Sequence, residues 1–116
     1  MRFKPILPTL REKKRYILFQ FFSNRNFLYE EVKEAIYSKL LELYGEFGIG
    51  YIGPIFLPEF WIKEKNVGIL RVSHKYVEHA KLAIISIKSI RGEKVIPRIL
   101  CVTGTLKKAR KILNSL

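Results

Sequence analysis

The residues of this chain that could do chemistry are cations, and their spacing points to anion binding. In residues 99–111 an apolar run, Ile99, Leu100, Cys101 and Val102, stops at Thr103 and Gly104, and a basic segment begins. Thr105 is placed as the N-cap of a helix, its hydroxyl accepting from a free amide of the first turn. Lys107 and Lys108 then fall in that first turn, where the positive end of the macrodipole disfavours each cation by roughly 0.3 kcal/mol or more. A bound anion reverses that sign. Free amides, a glycine that permits close backbone approach and adjacent lysines make a phosphate-sized site at a helix start. The same residues also fit the solvated face of a terminal helix, and the stretch by itself leaves both readings open.

The distribution of charge favours a polyanionic partner. Of a net charge of +12, residues 1–15 carry +5, from Arg2, Lys4, Arg11, Lys13, Lys14 and Arg15 against Glu12 alone. Residues 104–116 carry +4, from Lys107, Lys108, Arg110 and Lys111 with no acid among them. The intervening segment has an ordinary soluble surface, twelve cations against nine glutamates. That concentration at the two ends suits binding of phosphates by Lys and Arg, which is strongly salt-dependent.

Other chemistries find little support. His74 and His79 are five residues apart and do not share a helix face, so with one cysteine and no aspartate a metal site is not expected. Cys101 lies in an apolar strand and reads as a packed hydrophobe. Residues 48–53, Gly-Ile-Gly-Tyr-Ile-Gly, match G-x-G-x-x-G, yet a helix precedes them and a strand follows, the reverse of the dinucleotide-binding context. Ser23-Asn24-Arg25-Asn26 offers an arginine after the first strand without the glycines of an acylphosphatase-like phosphate loop. Base stacking on a sheet needs outward aromatics on both central strands. The first strand has Tyr16, Phe19 and Phe22, but residues 67–73 contain none.

The chain's 116 residues, 48% hydrophobic and 13% aromatic, suffice for one small domain with a single core. Apolar runs such as residues 16–22 fall far short of the roughly 20 residues of a membrane span, and no signal-peptide pattern is visible. A single cysteine precludes an intrachain disulfide and suits a reducing cytoplasm. The absence of aspartate and the abundance of isoleucine, lysine and glutamate lean towards a thermophile.

The elements that must position the cations follow from periodicity. Residues 1–14, with Pro5 and Pro8, are read as an extended basic arm, and residues 15–116 as one domain. Residues 16–22 are apolar on both parities except Gln20, which predicts a central strand covered on both faces. A helix follows from Leu28, with Glu30 and Glu31 in its first turn, ending near Gly45 or Gly48. Strands are expected at 55–62 and 67–72, a hairpin turn between them, then a helix capped by Ser73, a turn at Arg91-Gly92, a strand at 94–103 and the terminal helix. Pro58 and Pro97 mark their strands as edges. This β-α-β-β-α-β-α order is that of an α+β, ferredoxin-like or RRM-like split βαβ sandwich with an added C-terminal helix and antiparallel sheet order 4-1-3-2. Helices cover one sheet face. The other needs either the terminal helix or a protein partner.

Four stretches together carry a family resemblance: Leu10-Arg11-Glu12-Lys13-Lys14-Arg15-Tyr16-Ile17, Gly45-Glu46-Phe47-Gly48, Gly68-Ile69-Leu70-Arg71 and Val102-Thr103-Gly104-Thr105-Leu106-Lys107. In order and spacing they resemble the archaeal ribonuclease P protein component 2 family, small subunits related to the eukaryotic Pop-family protein shared by ribonucleases P and MRP. Thr103 stands where serine is expected, which leaves the turn chemistry intact. The resemblance implies an RRM-like fold without the aromatic RNA platform, and a role in removing 5′ leaders from precursor tRNA. It implies that a catalytic RNA and its Mg²⁺ ions do the chemistry, with no cofactor bound by this chain and no cleavage by it alone. It also implies pairing with component 3 and a homodimer within a two-plus-two assembly. On this reading Arg11, Lys13, Lys14 and Arg15 contact one RNA backbone segment, and Gly104, Thr105, Lys107, Lys108, Arg110 and Lys111 another. The alternatives are a generic RNA-binding or ribosome-associated ferredoxin-like protein and, less favoured, an acylphosphatase-like enzyme.

Overall fold

Strand β1 (Lys14–Phe22) is built to be buried from both sides: Ile17, Phe19 and Phe21 point one way and Leu18 the other, and all four are essentially inaccessible. The computed structural model describes residues 13–116, so the reading of residues 1–12 as an arm, Arg11 included, lies outside the described residues. Antiparallel pairing joins β1 to β3 (Val67–Ser73), from Lys14 opposite Ser73 to Gln20 opposite Val67. Its other edge pairs with β6 (Ile96–Thr103), from Tyr16 opposite Thr103 to Phe22 opposite Ile96, with a bulge opposite Leu18 and Phe19 that leaves Leu100 as the extra residue. Strand β2 (Ile55–Phe56) completes the sheet on the far side of β3, giving the order β2-β3-β1-β6.

The strand expected over residues 55–62 stops at Phe56. Pro58 has no amide for the ladder and opens a short 3₁₀ turn, Pro58–Phe60. The chain rejoins β3 only at an isolated bridge between Ile62 and Val67. Asn66, with φ 53°, closes that turn and is buried. Its amide donates to Arg25 O at 2.9 Å and accepts from the Phe27 amide at 3.0 Å, while its carbonyl accepts from the Phe21 amide.

Helix α1 (Tyr29–Ile52) starts without a polar cap, since Leu28 has no side-chain oxygen. Glu31 takes over by accepting from the Leu28 amide at 3.0 Å and pairing with Arg25. The helix was expected to end near Gly45 or Gly48. It is interrupted at Gly45 (φ 69°, ψ 179°), turns, and resumes to Ile52, where left-handed Gly53 ends it. The glycines of 48–53 thus belong to a helix and its cap. Ser73 caps a 3₁₀ turn, His74–Tyr76, which leads into α2 (Val77–Ile85). A small hairpin, β4 (Ser89–Ile90) and β5 (Glu93–Lys94), surrounds Arg91 and Gly92, both at positive φ. The last strand begins two residues later than expected, at Ile96.

Two layers cover the sheet. Val32, Ile36 and Leu40 of α1 and Ala80, Ala83 and Ile84 of α2 pack on Ile17, Phe19, Phe21, Leu70 and Val72. On the opposite face α3 (Leu106–Asn114) packs Ala109 and Leu113 against Leu18, Val67 and Ile69. The second cover is therefore the chain's own terminal helix.

Leu113→Ala should cost about 2–4 kcal/mol in denaturant unfolding, because it opens a cavity under α3. A second outcome concerns acid. The Leu28 amide, and after it Arg25, hold the Glu31 carboxyl below its ordinary value of 4.5. Its contribution to stability is present above the unfolded value and is lost as pH falls through the lower folded one. Glu31→Gln should flatten the acid limb of a stability–pH curve below about pH 4.5.

Candidate nucleic-acid interface

Antiparallel pairing places the start of β1 beside the ends of β3 and β6, so one end of the sheet collects cations from both ends of the chain. Lys13 O accepts from the His74 amide at 3.0 Å and lies 3.1 Å from His74 Nδ1. Arg15 Nη1 donates to Lys14 O at 3.0 Å, and its guanidinium lies beside Gly104: a Cβ built there would be 3.8 Å from Nη1. The two basic segments thus meet at one end of the sheet.

The start of α3 forms part of it. Thr105 Oγ1 accepts from the Lys108 amide at 3.2 Å, the N-cap bond expected from the sequence, and Thr103 Oγ1 donates to Thr105 O at 2.9 Å. Lys107, Lys108, Arg110 and Lys111 are exposed, while Ala109 and Leu113 face the sheet. Gly104 is exposed and outside the left-handed region, so the fold does not require a glycine there.

Carboxylates leave this end of the sheet unneutralised. Among the described residues, Lys13, Lys14, Arg15, Lys107, Lys108 and Lys111 have no carboxylate partner, and neither do Lys33, Lys63, Lys65, Lys88, Lys94 and Arg98 elsewhere, whereas Arg25, Lys39, Lys81 and Arg91 pair with Glu31, Glu42, Glu78 and Glu34. Arg110 is set apart from its neighbours, its guanidinium lying 5.9 Å from the centre of the Phe60 ring. Arg71, which sequence reasoning passed over, also lacks a carboxylate among the described residues. Its signal was a lone cation in an otherwise apolar strand, at the end of β3 that faces Lys14 and Tyr16.

The remaining chemistries are further limited by geometry. Arg25 is engaged by Glu31 and lies over Phe27, so it is not a free phosphate ligand after β1. Cys101 is half-buried and desolvation pushes its thiol up, which keeps it protonated and unreactive at neutral pH. The sheet face on which bases would stack is occupied by α3, and Tyr16 packs with that cluster.

Comparison with known proteins agrees with this architecture. A family model described as the Rpp14/Pop5 family matches residues 15–114. Ribonuclease P protein component 2 of Thermococcus gammatolerans is 40% identical over 113 residues, covering 96% of this chain and 92% of the relative. The corresponding protein of Pyrococcus abyssi is 36% identical over 111 residues, covering 96% and 92%. The ribonuclease P/MRP protein subunit POP5 of Schizosaccharomyces pombe is 30% identical over 114 residues, covering 86% and 82%. A chain in a cryo-EM structure of yeast ribonuclease MRP has the same fold, with a TM-score of 0.62 at 16% identity, covering 90% of this chain and 91% of that one.

Thr105→Ala should destabilise the chain by about 1 kcal/mol through loss of the N-cap, while Gly104→Ala should stay within about 0.5 kcal/mol. Thermal or denaturant unfolding of the two variants side by side checks both.

Proposed function

The chain belongs to the Rpp14/Pop5 family, and from that membership we propose that it is a protein subunit of the ribonuclease P ribonucleoprotein that binds the catalytic RNA through the basic end of its sheet. The supporting observation is the convergence of cations without carboxylate partners, Lys13, Lys14 and Arg15 from one end of the chain and Lys107, Lys108 and Lys111 from the other, around the start of α3. Such a surface neutralises backbone phosphates without reading bases. Its expected contribution is to let the RNA core fold at lower Mg²⁺, with the metal ions held by RNA and the cleavage of precursor-tRNA leaders performed there. Arg11 and the rest of residues 1–12 extend the same contact in this reading.

Pairing with another protein, component 3, and self-association within a two-plus-two assembly belong to the same proposal. They are supported by apolar side chains left in solvent on the last turns of α1, where Phe47 is 88% and Tyr51 63% exposed. The split βαβ sandwich reading is supported by the sheet order and by helices on one face. A cytoplasmic setting accords with the lone protonated thiol and with the absence, among the described residues, of any helix long and apolar enough to cross a membrane.

Reversing Lys107 and Lys108 to glutamate should weaken binding to the ribonuclease P RNA of the same genome and lower the log–log salt slope by about two. Unchanged affinity and slope would remove α3 from the interface. Reconstituted precursor-tRNA cleavage at limiting Mg²⁺ should depend on this chain and on component 3, and an equal gain with unrelated structured RNAs would favour a generic RNA-binding role.

A further inference from the structure

The sheet face beneath α3 changes character along its length. Toward one end Leu18, Val67 and Ile69 are sealed by Ala109 and Leu113. Toward the other, the same parity of β3 and β1 carries Arg71, with Tyr16 opposite it, and then Lys14 opposite Ser73. Arg71 is half-buried, and its Nε–H is shielded from solvent with no hydrogen-bond acceptor among the described residues. A cation held in this state is costly: the donor is desolvated and no carboxylate among the described residues compensates the charge. A partner that brings an anionic oxygen would satisfy both requirements at once.

The position of Arg71 says what kind of partner that is. Tyr16 is the register partner of both Arg71 and Thr103, the residue that leads into α3. With strands roughly 4.8 Å apart, Arg71 stands two strands, about 10 Å, from Thr103, where the chain turns toward that basic helix. Lys14 lies on the strand between them, two register pairs nearer the end of the sheet and on the same face. The orphaned donor therefore adjoins the surface assigned above to RNA phosphates. We propose that Arg71 is a phosphate-contacting residue of this interface. Its planar guanidinium takes one backbone phosphate through two parallel bonds and so fixes where the RNA strand crosses the sheet, while the lysines supply charge without fixed geometry. This rests on the reading that the basic end of the sheet binds RNA.

The test compares Arg71→Lys, Arg71→Met and the double reversal K107E/K108E in the full chain, measuring affinity and salt dependence with the ribonuclease P RNA of the same genome, alongside thermal unfolding. Arg71→Lys should weaken binding roughly tenfold, because it keeps the charge and loses the fork. Its salt slope and unfolding midpoint should stay as in the parent. Arg71→Met should weaken binding at least as much and lower the slope by about one. If both Arg71 variants bind like the parent while K107E/K108E binds weakly, the inference fails and the interface stands; if all three bind like the parent, the interface reading fails with it. Arg71 variants that bind RNA normally but no longer retain component 3 would assign the guanidinium to a protein carboxylate and overturn the proposal. Should Arg71→Met fail to fold, Arg71→Lys at constant charge remains decisive.

Discussion

The demand of β1 for cover on both faces is the constraint on which the rest of the molecule depends. A strand with Ile17, Phe19 and Phe21 on one side and Leu18 on the other cannot lie at a sheet surface open to water. The helical layer of α1 and α2 meets half of that demand. The other half requires α3 to fold back immediately after Thr103, and the turn at Gly104 and Thr105 is where it does so. Because β6 runs antiparallel to β1, the turn is made beside Lys14 and Arg15. The apolar requirement of the core thus fixes where the positive charge gathers.

Helix α3 reconciles two roles by splitting its faces. Ala109, small enough to let the helix approach the sheet closely, and Leu113 are buried, with Leu106 and Ile112 at the margins. Lys107, Lys108 and Lys111 point away. Placing two lysines in the first turn is unfavourable for the isolated helix, and the tension is relieved only when negative charge arrives from outside. Helices α1 and α2 lie on the other face of the sheet, and four of their glutamates, Glu31, Glu34, Glu42 and Glu78, already pair with cations nearby.

What could be read before the fold was known was local. The Thr105 cap, the edge character marked by Pro97, the central position of residues 16–22 and the basic composition of residues 104–111 all follow from single residues or short periodicities. The features missed depend on register or tertiary contact. Asn66 reads as a turn residue, and its clasp on Arg25, Phe27 and Phe21 needs the hairpin closed first. Gly45 was read as a helix end when it is a break, because the turns that follow it are held by the tertiary packing of Ile49 and Ile52. The merging of Arg15 with Gly104, and the place of Arg71 beside them, follow from strand pairing alone.

The bulge in β6 carries a consequence for how this chain can vary. Side chains alternate strictly along a strand, so Arg98, opposite Gln20, and Thr103, opposite Tyr16, could not share a sheet face if the count between them were uninterrupted. Leu100 is the odd residue that restores agreement. Without it Ile99 and Cys101 would be neighbours opposite Phe19 and Leu18, and the ladder would run unbroken with Thr103 still opposite Tyr16 and on the α3 side. The bulge is therefore where this strand absorbs a change of length by one. In this edge strand Leu100 is a spare count, taken up by the irregularity without turning the rest of the strand over.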